Sequence, residues 1–501
     1  MELDLKMQQI DCCETVQRVV VSHEETMETA IPEYCPDMAR VVDAVGQLKL
    51  REKKLSGGRL TLSGAVRVTV LYTSGESAGL RSLVLTVPFT CLIDDERLQG
   101  CRSICGSGRL QLVEARSITA RKLYVRVIPE FEVEGIACPE HRVCSAAPED
   151  PSLQLRREER DVSLLIRVLE REFNFHQECL PEPGQEAPEE LLLDRGSLRV
   201  TGCQHLGNKL ILKGEAALTL LYRTQAQGLC SIDALLPFSQ ILEAADLPEE
   251  VTFQAEAWVV DSDVRLIRTD GGPGFGVSMR IGVAVKVYQK QHIDYIADLY
   301  STRCDAEVRH ASCTLTAAQP AQVLRQEAVQ QLEFGSGKPF ACVTGMECGA
   351  VSLAPEGDGA ALRTNLRLKL LYLDETGAPV STERAIELAL KTPRTPESVR
   401  AVCAPVVMNL GSNSCELRIP VDFFMEQAET LRLDSVCAVQ LSEPSGEPRP
   451  SLILRRIGKG ERLWDIAKAC RADPAVIEQT NGLTPGEPLP EGMLLIPKAR
   501  A

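Results

Sequence analysis

Aromatic residues are scarce: two Trp, eight Tyr and eleven Phe make up 4% of 501 residues. The cores must therefore be filled mainly by Leu, Val, Ile and Ala. Long apolar runs are absent too. No stretch approaches the roughly 18 consecutive apolar residues of a membrane-spanning helix. The N-terminus, MELDLKMQQIDCCETVQRVVV, lacks the basic n-region, apolar run and small-residue cleavage site of a signal peptide, so a protein made and kept in the cytoplasm is expected. Basic residues are outnumbered, 55 Lys and Arg against 70 Asp and Glu, for a formal charge of −15. That balance argues against a general nucleic-acid binder, which needs a basic face to neutralise phosphates, but leaves room for a local basic patch.

Catalytic signatures are missing as well. The six histidines (His23, His141, His176, His205, His292, His310) are dispersed, with no pair at metal-ligand or base–nucleophile spacing. No Gly-x-Ser-x-Gly elbow occurs. Gly335-Ser336-Gly337-Lys338 resembles a phosphate loop, but Leu332 stands where that motif needs glycine and Pro339 where it needs Ser or Thr, so it reads as a turn. Acidic residues are too plentiful to single out an acid–base pair. The 19 cysteines are scattered, and Cys91, Cys203, Cys342 and Cys415 sit inside apolar strands, where thiols in a reducing compartment act as small hydrophobes. Vicinal Cys12-Cys13 and the Cys101/Cys105 pair lack the spacing and partner histidine of a zinc site. Neither an enzyme nor a cofactor is implied.

What the chain does have is a repeated strand. Leu210 to Tyr222 reads LILKGEAALTLLY, with Leu210, Leu212, Gly214, Ala216, Leu218 and Leu220 on one parity. Successive strand side chains point to opposite faces, so this is a half-buried β-strand. The same design stands at Leu60 to Tyr72 and at Ala360 to Tyr372. The terminal tyrosines Tyr72, Tyr222 and Tyr372 are spaced 150 residues apart. This spacing predicts three copies of one β-rich, sandwich- or barrel-like domain, at 1–150, 151–300 and a diverged 301–440.

The first two copies align without a gap from Gly46, which matches Gly196, as Gly64 matches Gly214. Glycine inside so long a strand predicts a bulge or bend. Both copies have a following strand with Pro-Phe (Pro88-Phe89, Pro237-Phe238), which the third replaces with Ile386 to Leu390. Each copy closes on a strand pair: Leu110–Val113 with Leu123–Val133, Phe253–Val260 with Val277–Val287, and Val399–Val407 with Leu417–Phe423. Gly271-Gly272-Pro273-Gly274 marks the turn within the second. Upstream, Val16–Ser22 reads as a strand and Ile31-Pro32-Glu33-Tyr34-Cys35-Pro36-Asp37 as a proline-broken approach. Asp37 occupies a helix-cap position before Met38, Val41, Val42 and Val45. Helices are expected only at the joints, and Arg157–Arg171 and Pro320–Leu332 are ambiguous between helix and strand.

Residues 441–451 (LSEPSGEPRPS) form a linker, and 452–501 a separate unit. There Leu452–Ile457 predicts a strand, and Lys459-Gly460-Glu461 a turn into a helix bearing Leu463, Trp464, Ile466 and Ala467. A second helix starts at Asp473-Pro474 and ends at Asn481-Gly482, and Gly492 to Pro497 closes as a strand. The order is β-α-α-β. This unit has eight Lys or Arg and six Asp or Glu, leaving −17 for the rest of the chain. Arg455, Arg456, Lys459, Arg462, Lys468 and Arg471 crowd its first strand and helix. A basic head on an acidic remainder suits a solvated face, a docking site for an acidic partner, or an internal contact. The spacing of Trp464 with Leu463, Ile466 and Ala467 favours a core role over sugar stacking.

These residues resemble the LysM module, through Gly460-Glu461-x-Leu463-Trp464-x-Ile466-Ala467, then Asn481, and Pro490-x-Gly492 leading to Ile496 and Pro497. The resemblance implies a contact region at Lys459, Gly460, Glu461, Arg462 and Leu463 and at Asn481, Gly482, Leu483 and Thr484, for peptidoglycan or chitin glycan. Arg455 replaces a frequent aromatic, and Arg462 a hydroxyl residue that caps the helix and contacts sugar. Repeated β-domains with Leu-Tyr strand ends, a C-terminal LysM, Ile31 to Asp37 and Asp298-Leu299-Tyr300-Ser301 together resemble the SipL family of spore-coat morphogenetic proteins, with its repeated SPOCS domains. That resemblance implies a mother-cell protein at the forespore surface, whose LysM docks onto the ATPase of the coat's basement layer rather than glycan. The expectation is a non-enzymatic scaffold. A glycan-binding protein is the alternative, and a wall hydrolase ranks last.

Overall fold

The computed structural model describes residues 1–75, 79–226, 228–333, 340–357, 359–411, 414–443, 450–458, 460–484 and 487–498. The fold is mainly β, with two α-helices among the described residues, both in the last fifty positions. None is long and apolar enough to cross a membrane.

Three antiparallel sheets are built on the periodic strands. Arg59–Ser74 lies between Met38–Ser56 and Leu80–Asp94, and Lys209–Thr224 between Pro188–Leu206 and Leu229–Glu243. Gly359–Leu373 pairs Pro379–Thr392 on one edge, and Ala341–Cys348 and Ser352–Glu356 on the other. Parity decides which cluster a side chain enters. Leu60, Leu62, Val66, Val68, Val70 and Tyr72 share one core, Leu210, Leu212, Ala216, Leu218, Leu220 and Tyr222 a second, and Leu362, Leu366, Leu368 and Leu370 a third. Each core is covered by a second layer: Leu123 to Val133, Phe275 to Val287, and Leu417 to Met425 respectively. On the opposite parity Leu71, Leu221 and Leu371, again 150 residues apart, meet in one further cluster with Val45, Leu192, Leu193 and Cys342. That cluster ties the three sheets together.

Gly64 and Gly214 each face a bulge in the neighbouring strand, between Leu50 and Glu52 and between Val200 and Gly202. The reason is close approach. A Cβ on Gly64 would lie 2.1 Å from the Lys49 carbonyl oxygen and 3.0 Å from the Phe89 ring. On Gly214 it would lie 2.2 Å from the Phe238 ring and 2.6 Å from the Arg199 oxygen. The Pro-Phe strand therefore lays its ring across the bare glycine. In the third sheet the cross-strand pair is Thr364 with Leu388, and the neighbouring edge is interrupted between Cys348 and Ser352. Glycine and ring are lost together.

One expectation of helix fails, and two ambiguous segments resolve as strand. Met38–Ser56 is a strand, so Asp37 caps nothing; it accepts instead from Arg121 at 3.0 Å. The same guanidinium also donates to the carbonyls of Ile31, Pro32 and Cys35, clasping the proline-broken approach. Arg157–Arg171 lies within the strand Leu153–Cys179, and Pro320–Leu332 within Ala306–Glu333. Each pairs along nearly its whole length with a partner of similar reach, Gly272–Ser301 and Ser414–Leu441, which satisfies the backbone where side-chain pattern is ambiguous. The third closing pair is also split: Ser398–Cys403 and Val407–Leu410 both pair Ser414–Leu441. Cys13 and Cys138 form a disulfide, whereas free thiols were expected. Most of the linker, 444–449, and Gly335 to Lys338 lie outside the described residues.

Candidate functional site

In the C-terminal unit Leu452–Arg456 pairs antiparallel with Met493–Pro497, and between them run α1 (Leu463–Cys470) and α2 (Pro474–Asn481). Asp473 caps α2 by accepting from the Ala475 amide at 2.9 Å, and Gly482 ends it at φ 62°, a left-handed conformation that suits glycine. Arg462 holds the cap position of α1 but makes no side-chain cap bond. Ile466, Ala467, Ala472, Ile477, Leu494 and Ile496 form the core.

The two loops singled out in the sequence come together. They line one open groove of about 800 Å³, with Gly460, Glu461, Arg462 and Leu463 on one side, Gly482, Leu483 and Thr484 on the other, and Glu478, Glu487 and Pro488 to Glu491 completing it. Lys459 lies outside the described residues. Not every residue nominated there is free to bind. Asn481 is turned inward: its amide donates to the carbonyls of Ile477 and Leu495 at 2.8 and 2.7 Å and accepts from the Leu495 amide, riveting α2 to the closing strand. Glu461 accepts from Arg455 at 2.6 Å and from the Gly458 amide at 2.7 Å, which fixes the turn. Leu463 and Leu483 pack against the core. The polar groups left toward the groove are Arg462, Thr484, Glu478, Glu487 and Glu491. Among the described residues that rim carries more acidic than basic groups.

The basic residues have other work. Lys468 donates to both carboxylate oxygens of Asp298 at 2.7 and 2.8 Å, and the Trp464 indole donates to the same carboxylate at 2.8 Å. Tyr300 enters the core of the unit, its hydroxyl donating to the Ala472 carbonyl at 2.7 Å and its ring centroid 5.0 Å from that of Trp464. Arg471 pairs with Asp305. Of the five described residues among the six crowded cations, then, Lys468 and Arg471 hold the unit against the long β-ribbons, Arg455 is used internally, and Arg456 and Arg462 are exposed. The internal contact foreshadowed by the charge asymmetry is what forms. Its acceptor was not nominated as a binding residue, although Asp298 and Tyr300 stand in the short stretch that carried part of the SipL resemblance.

Electrostatics make this contact pH-sensitive. Burial by itself would raise the Asp298 pKa, but the bonds from Lys468 and Trp464 and the lysine's charge hold it below the ordinary aspartate value. A carboxylate whose pKa is depressed on docking contributes stability above its free pKa, and that stability is lost as pH falls through the docked value. The unit should therefore stay docked at neutral pH and release only below about pH 4, the ordinary aspartate range. Trp464 emission followed during acid titration should shift to the red in that window. A shift well above that window would contradict control by Asp298.

No protein family, curated protein or solved structure matches the chain. The resemblance to LysM and SipL proteins accordingly rests on the residues quoted above.

Proposed function

We propose that the protein is a non-enzymatic scaffold of endospore coat assembly, acting in the mother cell at the forespore surface. In this proposal residues 1–150, 151–300 and 301–440 are three copies of a SPOCS-like domain, 441–451 is a linker, and 452–501 is a LysM module that binds the coat's basement-layer ATPase. The observation that carries it is the division of labour within the last unit. Trp464, Lys468 and Arg471 are used in docking, which leaves the groove as the open contact surface.

The same division weighs against glycan as first ligand. None of the residues lining the groove is aromatic, and the tryptophan that could have stacked on a sugar is committed to Asp298 and Tyr300. Glycan binding keeps one supporting feature, since Thr484, Glu478, Glu487 and Glu491 supply oxygens suited to sugar hydroxyls. An acidic rim also changes the expected partner patch, which should be polar or basic where it meets the groove.

Arg462 is exposed and makes no cap bond, so replacing it should not unfold the unit. Arg462→Glu is expected to change ATPase affinity by about tenfold, as altered rim charges do, with an unchanged melting temperature. Calorimetric titration of the full chain with the purified ATPase checks this. Wild-type affinity in the variant would remove the groove from the contact.

A further inference from the structure

A second site shares no residue with the groove and lies where the chain passes between sheets near its start. The strand Lys6–Ile10 pairs His141–Ala146, with Ile10 opposite His141. After three residues the chain enters Glu14–Ser22, which pairs a different strand, with Glu14 opposite Ala137. Both chains thus cross from one sheet to another at the same place, between 10 and 14 and between 137 and 141.

Three donor side chains converge at this crossing. The Cys12 Sγ, a Glu14 carboxylate oxygen and a His141 ring nitrogen all lie within 4.8 Å of one another. Glu14 Oε1 and His141 Nε2 are 3.6 Å apart, too far for a hydrogen bond. Both atoms are buried, and neither has a hydrogen-bond partner among the described residues. Buried polar atoms without partners are costly and rare. Cys13, the other half of the vicinal pair, is bonded to Cys138, so Cys12 is the thiol that stays free, itself buried against Ile10, Val143 and Leu315.

We propose that Cys12, Glu14 and His141 bind a divalent transition-metal ion, zinc by the chemistry of the donors. One thiolate, one imidazole and one carboxylate form a mixed set that suits Zn²⁺ better than the all-oxygen cations. Tetrahedral zinc with ligand bonds of about 2.0–2.3 Å sets its donors roughly 3.3–3.6 Å apart. The Glu14–His141 separation already meets this, and the thiol lies within 4.8 Å of both. Binding would release the Cys12 proton. Three protein ligands leave a fourth position for water, and Glu14 and His141 are not fully buried, keeping 21% and 17% of their side-chain surface exposed. The partner histidine absent from the local sequence is thus supplied by a strand about 130 residues away.

The test uses the full chain, stripped with chelator and dialysed against zinc chloride. One zinc per chain should survive competition with a chromophoric chelator, and zinc should raise the melting temperature. Glu14→Gln and His141→Asn should weaken retention about tenfold or more while leaving the far-ultraviolet circular dichroism unchanged. Cobalt substitution supplies a second readout: a thiolate-to-cobalt charge-transfer band in the wild type that disappears in Cys12→Ser. The proposal is overturned if the wild type retains no zinc. It is equally overturned if all three variants hold zinc like the wild type, because the metal would then sit on other thiols.

Discussion

Asp298→Ala is expected to free the C-terminal unit from the β-ribbons while leaving both parts folded. The carboxylate is 9% exposed and accepts from Lys468 and Trp464 together. Removing one partner of a buried ion pair costs about 3–5 kcal/mol, because it strands the other charge. Lys468 is 37% exposed, and water would recover part of that loss. We therefore expect roughly 2–3 kcal/mol, enough to shift docking by more than tenfold. The unit has its own small core of Ile466, Ala467, Ile477, Leu494 and Ile496, so release need not unfold it. Trp464 fluorescence should move to the red, and amides of α1 should exchange faster with solvent, while the strands of the first sheet keep their protection. Unchanged emission and exchange would mean that Tyr300 and Arg471 suffice for docking.

Gly214→Thr should be strongly destabilising to the second sheet. Its Cβ would meet the Phe238 ring at 2.2 Å and the Arg199 carbonyl at 2.6 Å, so both a side chain and a backbone must move. Overpacking of this kind costs about 1–3 kcal/mol, and more where backbone must give. The third sheet shows how threonine is accommodated: Leu388 replaces the ring opposite Thr364, whose hydroxyl donates to the Gly349 carbonyl at 2.9 Å where the neighbouring edge is broken. Adding Phe238→Leu to Gly214→Thr should therefore restore part of the loss, with a coupling of about 1 kcal/mol or more. Restoration should be incomplete, since the Arg199 oxygen remains. Urea denaturation of the four members of this cycle checks the prediction, and strict additivity would contradict it.

The β architecture was legible because alternation of apolar residues is a strong local signal, and Leu60, Leu62, Val66, Val68, Val70 and Tyr72, on one parity, are all buried. The second helix was legible for a different reason, since Asp473-Pro474 and Asn481-Gly482 carry its start and stop chemistry. Arg157–Arg171 was ambiguous because its charges sit on a ribbon whose stability comes from the paired strand, not from its own pattern. Asp37 shows the converse error. A good capping residue means nothing when the segment after it is claimed by a sheet.

For the candidate site, the two loops were found from the sequence but the roles within them were not. Asn481 and Glu461 look like contact residues in one dimension, and only the fold reveals that each is spent on backbone amides or carbonyls of its own unit. The fate of Lys468 and Arg471 depended on Asp298 and Asp305, some 170 residues upstream. Charge asymmetry hinted at such a contact without naming its partners. The Cys12, Glu14 and His141 convergence was hidden by the same kind of sequence separation.

The most direct measurement is binding of the intact chain to purified basement-layer ATPase and, in parallel, to purified peptidoglycan, with Arg462→Glu beside the wild type in both. Our account predicts binding to the ATPase, altered by the substitution, and no retention on peptidoglycan. Retention on peptidoglycan alone, sensitive to Arg462→Glu, would contradict it and make the groove a glycan site.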